Sequence, residues 1–225
     1  MIPDPATALP LPAMRQIPSF LGAPIGDLEQ LKPGDVAMVG LFLDHGDPHG
    51  FGKRFAARQI RYACAQHDIG LPAGRGTGCL DLGDLNVFPL EPARQAQALR
   101  RQIAAIAAAG AIPVVVGGRR VDAQAADWLT PARMLELAAA SAVAQTGEPI
   151  ALIVDLAPIL AHDAPPRALS TALAALAAIP ADRIAMAHLT GVAPDLDVGG
   201  RHAAVLAARV LQALVAHLLG AGRCR

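Results

Sequence analysis

A chain of 225 residues with 53% hydrophobic and 17% charged side chains can bury a core of its own and is too apolar to be disordered or fibrous. Nineteen Lys+Arg offset nineteen Asp+Glu, so no net field steers nucleic acid or an anionic membrane, and neither is an expected partner. The same neutrality, with so much apolar surface, weakens the solubility of a lone monomer and points to a permanent partner subunit.

Residues 1–34 are rich in proline (Pro3, Pro5, Pro10, Pro12, Pro18, Pro24) and read as an N-terminal extended arm ahead of one domain over 35–225. Met1 to Pro12 has neither a basic start nor a long apolar run, unlike a secretory signal. "DVAMVGLFLD", from Asp35, reads as a strand buried on both faces, and "DHGDPHGFG" as the loop after it. A helix is expected from about Arg54 to Gln66, then a strand in "CLDLGDLNVF". A second helix is expected from about Glu91 to Ala109, with Leu99, Ile103 and Ile106 on one face, leading into a strand in "AIPVVVGG".

Residues from Gly118 to about Gln145 read as helical, divided by Pro131. A strand "IALIVDLA", a helix near Arg167 to Ala178, a strand "RIAMAHLT" and a helix from about Gly200 to Leu219 follow. This alternation predicts a three-layer α/β/α domain with a mainly parallel sheet. The last helix is apolar nearly all round, so it is either central to the core or covered by another chain. Arg209, Gln212 and His217 interrupt it, and it reads as too short and too polar to span a bilayer. Cys64, Cys79 and Cys224 form no CxxC or zinc spacing and read as free thiols of a reducing, cytoplasmic compartment.

Several segments, in order, resemble the ureohydrolase (arginase and agmatinase) superfamily, most closely its agmatinase-like branch. They are "SFLGAP" (19–24), the strand, loop and helix start of "DVAMVGLFLDHGDPHGFGKRFAARQIRYA", "LDLGDLNVFP", "AAAGAIPVVVGG", "IALIVDLA", and the closing "IAMAHLTGVAPDLDVGGRHAAVLAARVLQALVAHLL". The resemblance implies an arginase-like fold, here truncated. It also implies chemistry in which two metal ions, typically manganese or nickel, activate a bridging hydroxide to hydrolyse guanidino or amidino carbon–nitrogen bonds.

The ligands implied by the resemblance are mostly absent. Arg120 stands where the superfamily's "GGDHS" has its metal-binding His, and a fixed guanidinium opposes a divalent cation. No Asp-x-His-x-Asp occurs between Val121 and Ile150. Of the two early aspartates of "SxDxDxxDP", Asp155 remains as a vestigial ligand position and Ala157 replaces the other. No metal, cofactor or catalytic residue is therefore assigned to this chain.

The remaining candidates form an interface or pocket rim. Asp44, His45, Asp47 and His49 could in principle hold an ion, the alternative being a solvated turn. Arg119 and Arg120 could hold a carboxylate or phosphate, the alternative being a helix-start or interface ion pair. Asp81 and Asp84 read as scaffold residues satisfying loop amides and nearby charges. "GGRRV" and "GRGTG" match no nucleotide-binding pattern.

Loss of ligands with retention of scaffold predicts a metal-free subunit. It would support a catalytically complete homologue, with Ni or Mn in that partner, in a hetero-oligomer of trimer or hexamer type. Heteromeric metformin hydrolase, with its non-catalytic small subunit, is the resembling precedent. A free-standing small-molecule binding or regulatory protein and an active hydrolase with a relocated metal site are the alternatives.

Overall fold

The computed structural model describes residues 18–43, 52–71, 78–85, 91–118, 133–136, 149–157, 165–193 and 202–220. Six strands form one sheet: β1 (Val36–Gly40), β2 (Cys79–Asp84), β3 (Ile112–Val116), β4 (Arg133–Glu136), β5 (Ile150–Asp155) and β6 (Ile184–Thr190), in the order β2-β1-β3-β6-β5-β4. Every pairing is parallel. Parallel strands need crossovers, and the helices that supply them cover both faces. Among the described residues the helices are α1 (Ala56–Gln66), α2 (Pro92–Ala108), α3 (Pro165–Ala177) and α4 (His202–Gly220).

Side chains alternate along each strand between two apolar layers. On one face Met38, Val114, Val116, Leu152, Val154 and Leu189 pack with α1, α3 and α4. On the other, Val39, Val115, Ala151 and Met186 pack with Leu99, Ile103 and Ile106 of α2, the helical face expected from the sequence. The architecture is the three-layer α/β/α domain.

Pro113 would be misplaced in most central strands, because it removes a ladder donor. Here the N–H of Ile112 already bonds the carbonyl of Asp35 on the β1 side at 2.7 Å. The Pro113 nitrogen therefore faces β6, where pairing begins only at Val114, and no bond is lost.

Two expectations are corrected. Residues 133–136 were expected in a helix but form β4, paired with β5 from Arg133–Ile150 to Glu136–Ile153. Arg-Met-Leu-Glu has helical propensity; the open backbone edge of β5 overrides it, as sheet context commonly does. The last helix, 19 residues long, is by length and composition able to cross a membrane, so shortness and polarity do not exclude a span. Its apolar surface is accounted for by packing instead. α4 lies against both α1 and α3 and buries Leu206, Ala207, Val210, Leu211, Leu214 and Leu218, which selects the core reading of this helix.

Residues 18–34 lie against the domain. Phe20 and Leu21 are fully buried, and Ile25 forms a parallel bridge to Asp81 on the β2 edge.

Candidate functional site

Ligands of parallel α/β sheets bind beyond the carboxyl ends of the strands, where β1, β3, β5 and β6 converge on Gly40, Gly117, Asp155 and Thr190. The turn after β3 is held from β6. His188, buried, has its Nε2 2.9 Å from the Gly117 carbonyl, and the Thr190 hydroxyl donates to the Gly118 carbonyl at 2.8 Å. Gly117 and Gly118 have φ of 82° and 68°, a conformation that favours glycine. A Cβ on Gly117 would lie 2.8 Å from the Ala57 nitrogen, and one on Gly118 2.8 Å from the Leu41 carbonyl. The floor is thus made of backbone in close contact.

Asp155, the position that the resemblance aligns with a metal ligand, ends β5. Its Oδ1 accepts the Ala157 N–H at 3.0 Å, closing a turn of its own, while the Leu156 N–H donates to the Thr190 carbonyl at 3.0 Å. Gly191, at φ 84°, lies directly against this turn: a Cβ there would collide with Asp155 Oδ1 and the Ala157 nitrogen, and would lie 2.7 Å from the Leu156 nitrogen. Ala157 offers a methyl where the resemblance expects a second carboxylate.

The resemblance implies a binuclear metal centre. Such a centre needs several carboxylate and imidazole donors around each ion, and no group of three or more His, Cys, Asp or Glu converges among the described residues. Asp44, His45, Asp47, His49, Arg119 and Arg120 lie outside the described residues. No role is assigned to His188 from the sequence. Its role as a clamp on the Gly-Gly turn had no local signal, because donor and acceptor are 71 positions apart.

The strongest polar constellation lies at the β2 edge of the sheet. Arg61 of α1 donates through Nε to Asp81 Oδ2 and through Nη2 to Asp81 Oδ1, both at 2.8 Å, through Nη1 to Asp84 Oδ1 at 2.7 Å, and to the Gly83 carbonyl at 2.9 Å. Asp81 also accepts the backbone N–H of Phe20 and of Gly83 at 2.9 Å. The Phe20 ring lies 4.0 Å beneath the guanidinium carbon. Burial acts to lower the pKa of Arg61, but the hydrogen bonds and charge of Asp81, with those of Asp84, outweigh it and raise the value.

This node explains why three separated segments, "SFLGAP", "QIRYA" and "LDLGD", occur together: Asp81 ties the first and second to the third. Asp81 and Asp84 do satisfy amides and a nearby charge, as the sequence suggested. Arg61 and Phe20 were missed, and their signal was an arginine inside an apolar helix opposite an Asp pair at i,i+3. An open cleft of ≈ 350 Å³ borders the node, lined by Pro18, Ile25, Arg58, Arg61, Tyr62, Asp81, Gly83 and Asp84.

Comparison with known proteins agrees with this geometry. Residues 34–120 match the model of the arginase family. A proclavaminate amidinohydrolase from Streptomyces clavuligerus is 27% identical over 147 residues, 63% of this chain. That alignment spans 42% of the relative, less than half its length. Among solved structures, proclavaminate amidinohydrolase from the same organism superposes with a TM-score of 0.71 at 19% identity, over 92% of this chain and 98% of that one. A hypothetical agmatinase from Burkholderia thailandensis gives 0.69 at 16% identity, over 91% of each chain. The protein has the arginase-like α/β fold. The match to the arginase family itself rests on residues 34–120.

Proposed function

We propose that this chain is a metal-free, non-catalytic subunit. In this reading it binds and supports an active, binuclear-metal ureohydrolase homologue in a cytoplasmic hetero-oligomer, with nickel or manganese held by that partner. The complex hydrolyses a guanidino or biguanide compound, and metformin, giving guanylurea and dimethylamine, is the specific substrate we would test first.

One observation carries the reading. Asp155 Oδ1 accepts the Ala157 N–H, and Gly191, packed against the same turn, has no room for a side chain of its own. A scaffold kept while its donors are replaced or engaged elsewhere fits support of a homologue better than hydrolysis by this chain alone. Relatives named as amidinohydrolase and agmatinase favour guanidino and amidino substrates for the complex.

The test is to purify the chain alone, a full-length ureohydrolase from the same genome alone, and the two co-expressed. Metal content and release of amine or urea-type product are then measured for each. The proposal expects less than stoichiometric nickel and manganese in this chain, one co-eluting complex, and activity only when both proteins are present. Near-stoichiometric metal with turnover by this chain alone, or a homologue fully active and eluting independently, overturns it.

A further inference from the structure

Among the described residues β2 is an end strand of the sheet, and such a strand presents backbone amides and carbonyls on which another chain can pair. Those of Asp81 and Gly83 are already taken. The Asp81 N–H donates to the Pro24 carbonyl at 2.9 Å, and the Gly26 N–H donates to the Asp81 carbonyl at 3.1 Å, the two bonds of the parallel bridge at Ile25. The Gly83 N–H donates to Asp81 Oδ1, and the Gly83 carbonyl accepts from Arg61 Nη2, both at 2.9 Å. The strand is irregular at the same place. Its register against β1 shifts between Met38 and Gly40, and Gly83 has a φ of 77°, which interrupts the extended run that an added strand would have to follow.

The segment that covers β2 offers little edge of its own in return. Pro24 and Gly26 turn their paired groups towards β2, so in this parallel pattern the amide and carbonyl of Ile25 face away. Pro24, beside it, has no N–H, and the bridge is an isolated one. Firm anchoring holds the segment in place. Phe20 and Leu21 are buried, the Phe20 N–H donates to Asp81 Oδ2 at 2.9 Å, and Leu21 has a φ of 56°, a left-handed conformation that a leucine keeps only where its surroundings compel it.

We infer that residues 24–26 and the Arg61–Asp81 node form an edge guard, closing β2 against a strand added by another chain. The carboxylate that ties three segments together also consumes the groups on which such a strand would pair. A chain with no net charge has no long-range repulsion to keep copies apart, so the protection has to be built into the edge itself. The inference does not depend on the subunit reading above, because an open edge is a hazard whether or not a homologue is present.

Two proline substitutions test it. Gly26→Pro removes the N–H given to the Asp81 carbonyl, whereas Ile25→Pro removes one that faces away from β2 and serves as its control. Hydrogen exchange is read at the amides of Phe20, Asp81, Gly83 and Val115, and thioflavin T fluorescence is followed during prolonged incubation, for both variants and the unmodified chain. Circular dichroism checks folding. In Gly26→Pro the Asp81 amide should exchange about tenfold faster or more, while Val115, in the sheet centre, is unchanged. That variant should form thioflavin T-positive assemblies, and Ile25→Pro should behave as the unmodified chain does.

The unmodified chain supplies an arm that needs no variant to fold. In low urea its Phe20, Asp81 and Gly83 amides should open together and before Val115, and the rate of assembly should follow that opening. Equal assembly in the two proline variants, an exposed Asp81 amide without assembly, or assembly that follows Val115 exchange would overturn the inference. A chain that assembles only on global unfolding and still co-elutes with a homologue would overturn the guard and leave the subunit proposal standing.

Discussion

Asp81 and Asp155 are both strand carboxylates in segments that resemble superfamily motifs, and the fold uses them differently. Asp81, with 2% of its side chain exposed, is surrounded by donors: one guanidinium, 11% exposed, the Phe20 amide 61 positions away and the Gly83 amide two residues on. Asp155, half-buried, accepts from an amide two residues on. The first joins an N-terminal segment, a helix and a strand, whereas the second closes one turn. A carboxylate's structural weight follows from how many otherwise unpaired groups depend on it, not from the motif that contains it.

The sharpest way to break this contrast is Asp81→Ala. It leaves the part-buried Arg61 charge and the Phe20 and Gly83 amides without their acceptor, and breaking a buried pair from one side costs about 3–5 kcal/mol. Urea unfolding should show a loss of unfolding free energy of that size. A shift below about 1 kcal/mol, the range of a surface pair, would mean that the node does not hold the three segments together.

Gly191→Ala probes the other region through its backbone. The new Cβ would meet Asp155 Oδ1 and the nitrogens of Leu156 and Ala157 in a left-handed conformation, so destabilisation of about 3 kcal/mol is expected. Adding Asp155→Ala should relieve part of that loss and not all, because the two backbone nitrogens remain. Strict additivity in thermal unfolding would show that Gly191 and Asp155 do not touch.

The node also shelters a thiol. Burial, with the negative charges of Asp81 and Asp35 adding to it, pushes Cys79 up from 9.0 to about 12. The sign follows from linkage: above pH 9.0 the unfolded chain releases the thiol proton while the native state keeps it. Stability due to this group is therefore lost as pH rises from 9.0 towards about 12. One unit into that window the loss is about 1.4 kcal/mol. Comparing Cys79→Ala with the unmodified chain between pH 8 and 10, as approximate working limits, should show the shallower decline in the variant. Parallel declines would place the thiol in contact with water.

The sheet and its helices were legible because apolar runs bounded by glycine and a helical period in α2 are local signals, and β1, β3, β5 and β6 begin within a few residues of expectation. β4 was not, since Arg-Met-Leu-Glu becomes a strand only when the edge of β5 is present to pair with it. That Arg120 and Ala157 stand at ligand positions is what the resemblance implies by position. What was unreadable was the use to which the retained aspartates are put, because Arg61 and Asp81 are 20 positions apart and Phe20 and Asp81 are 61. Asp155 was read as a leftover ligand position, and only Gly191, brought beside it by β5–β6 pairing, reveals how closely its turn is packed.

Asp155 gives the smallest effect and the finest test of the contrast. Asp155→Ala removes one charge-assisted acceptor for a single amide, a loss of about 1 kcal/mol, whereas Asp155→Asn keeps an acceptor oxygen and should lie within about 0.5 kcal/mol of the unmodified chain. Chemical denaturation resolves the two. If Asp155 closes a turn, Asn substitutes because only an oxygen is required. If the carboxylate charge served an ion, Asn and Ala would fail together and the melting temperature of the unmodified chain would fall on treatment with a chelator. Equal loss in both variants, accompanied by chelator sensitivity, would return Asp155 to the role its motif implies and remove the distinction between the two carboxylates.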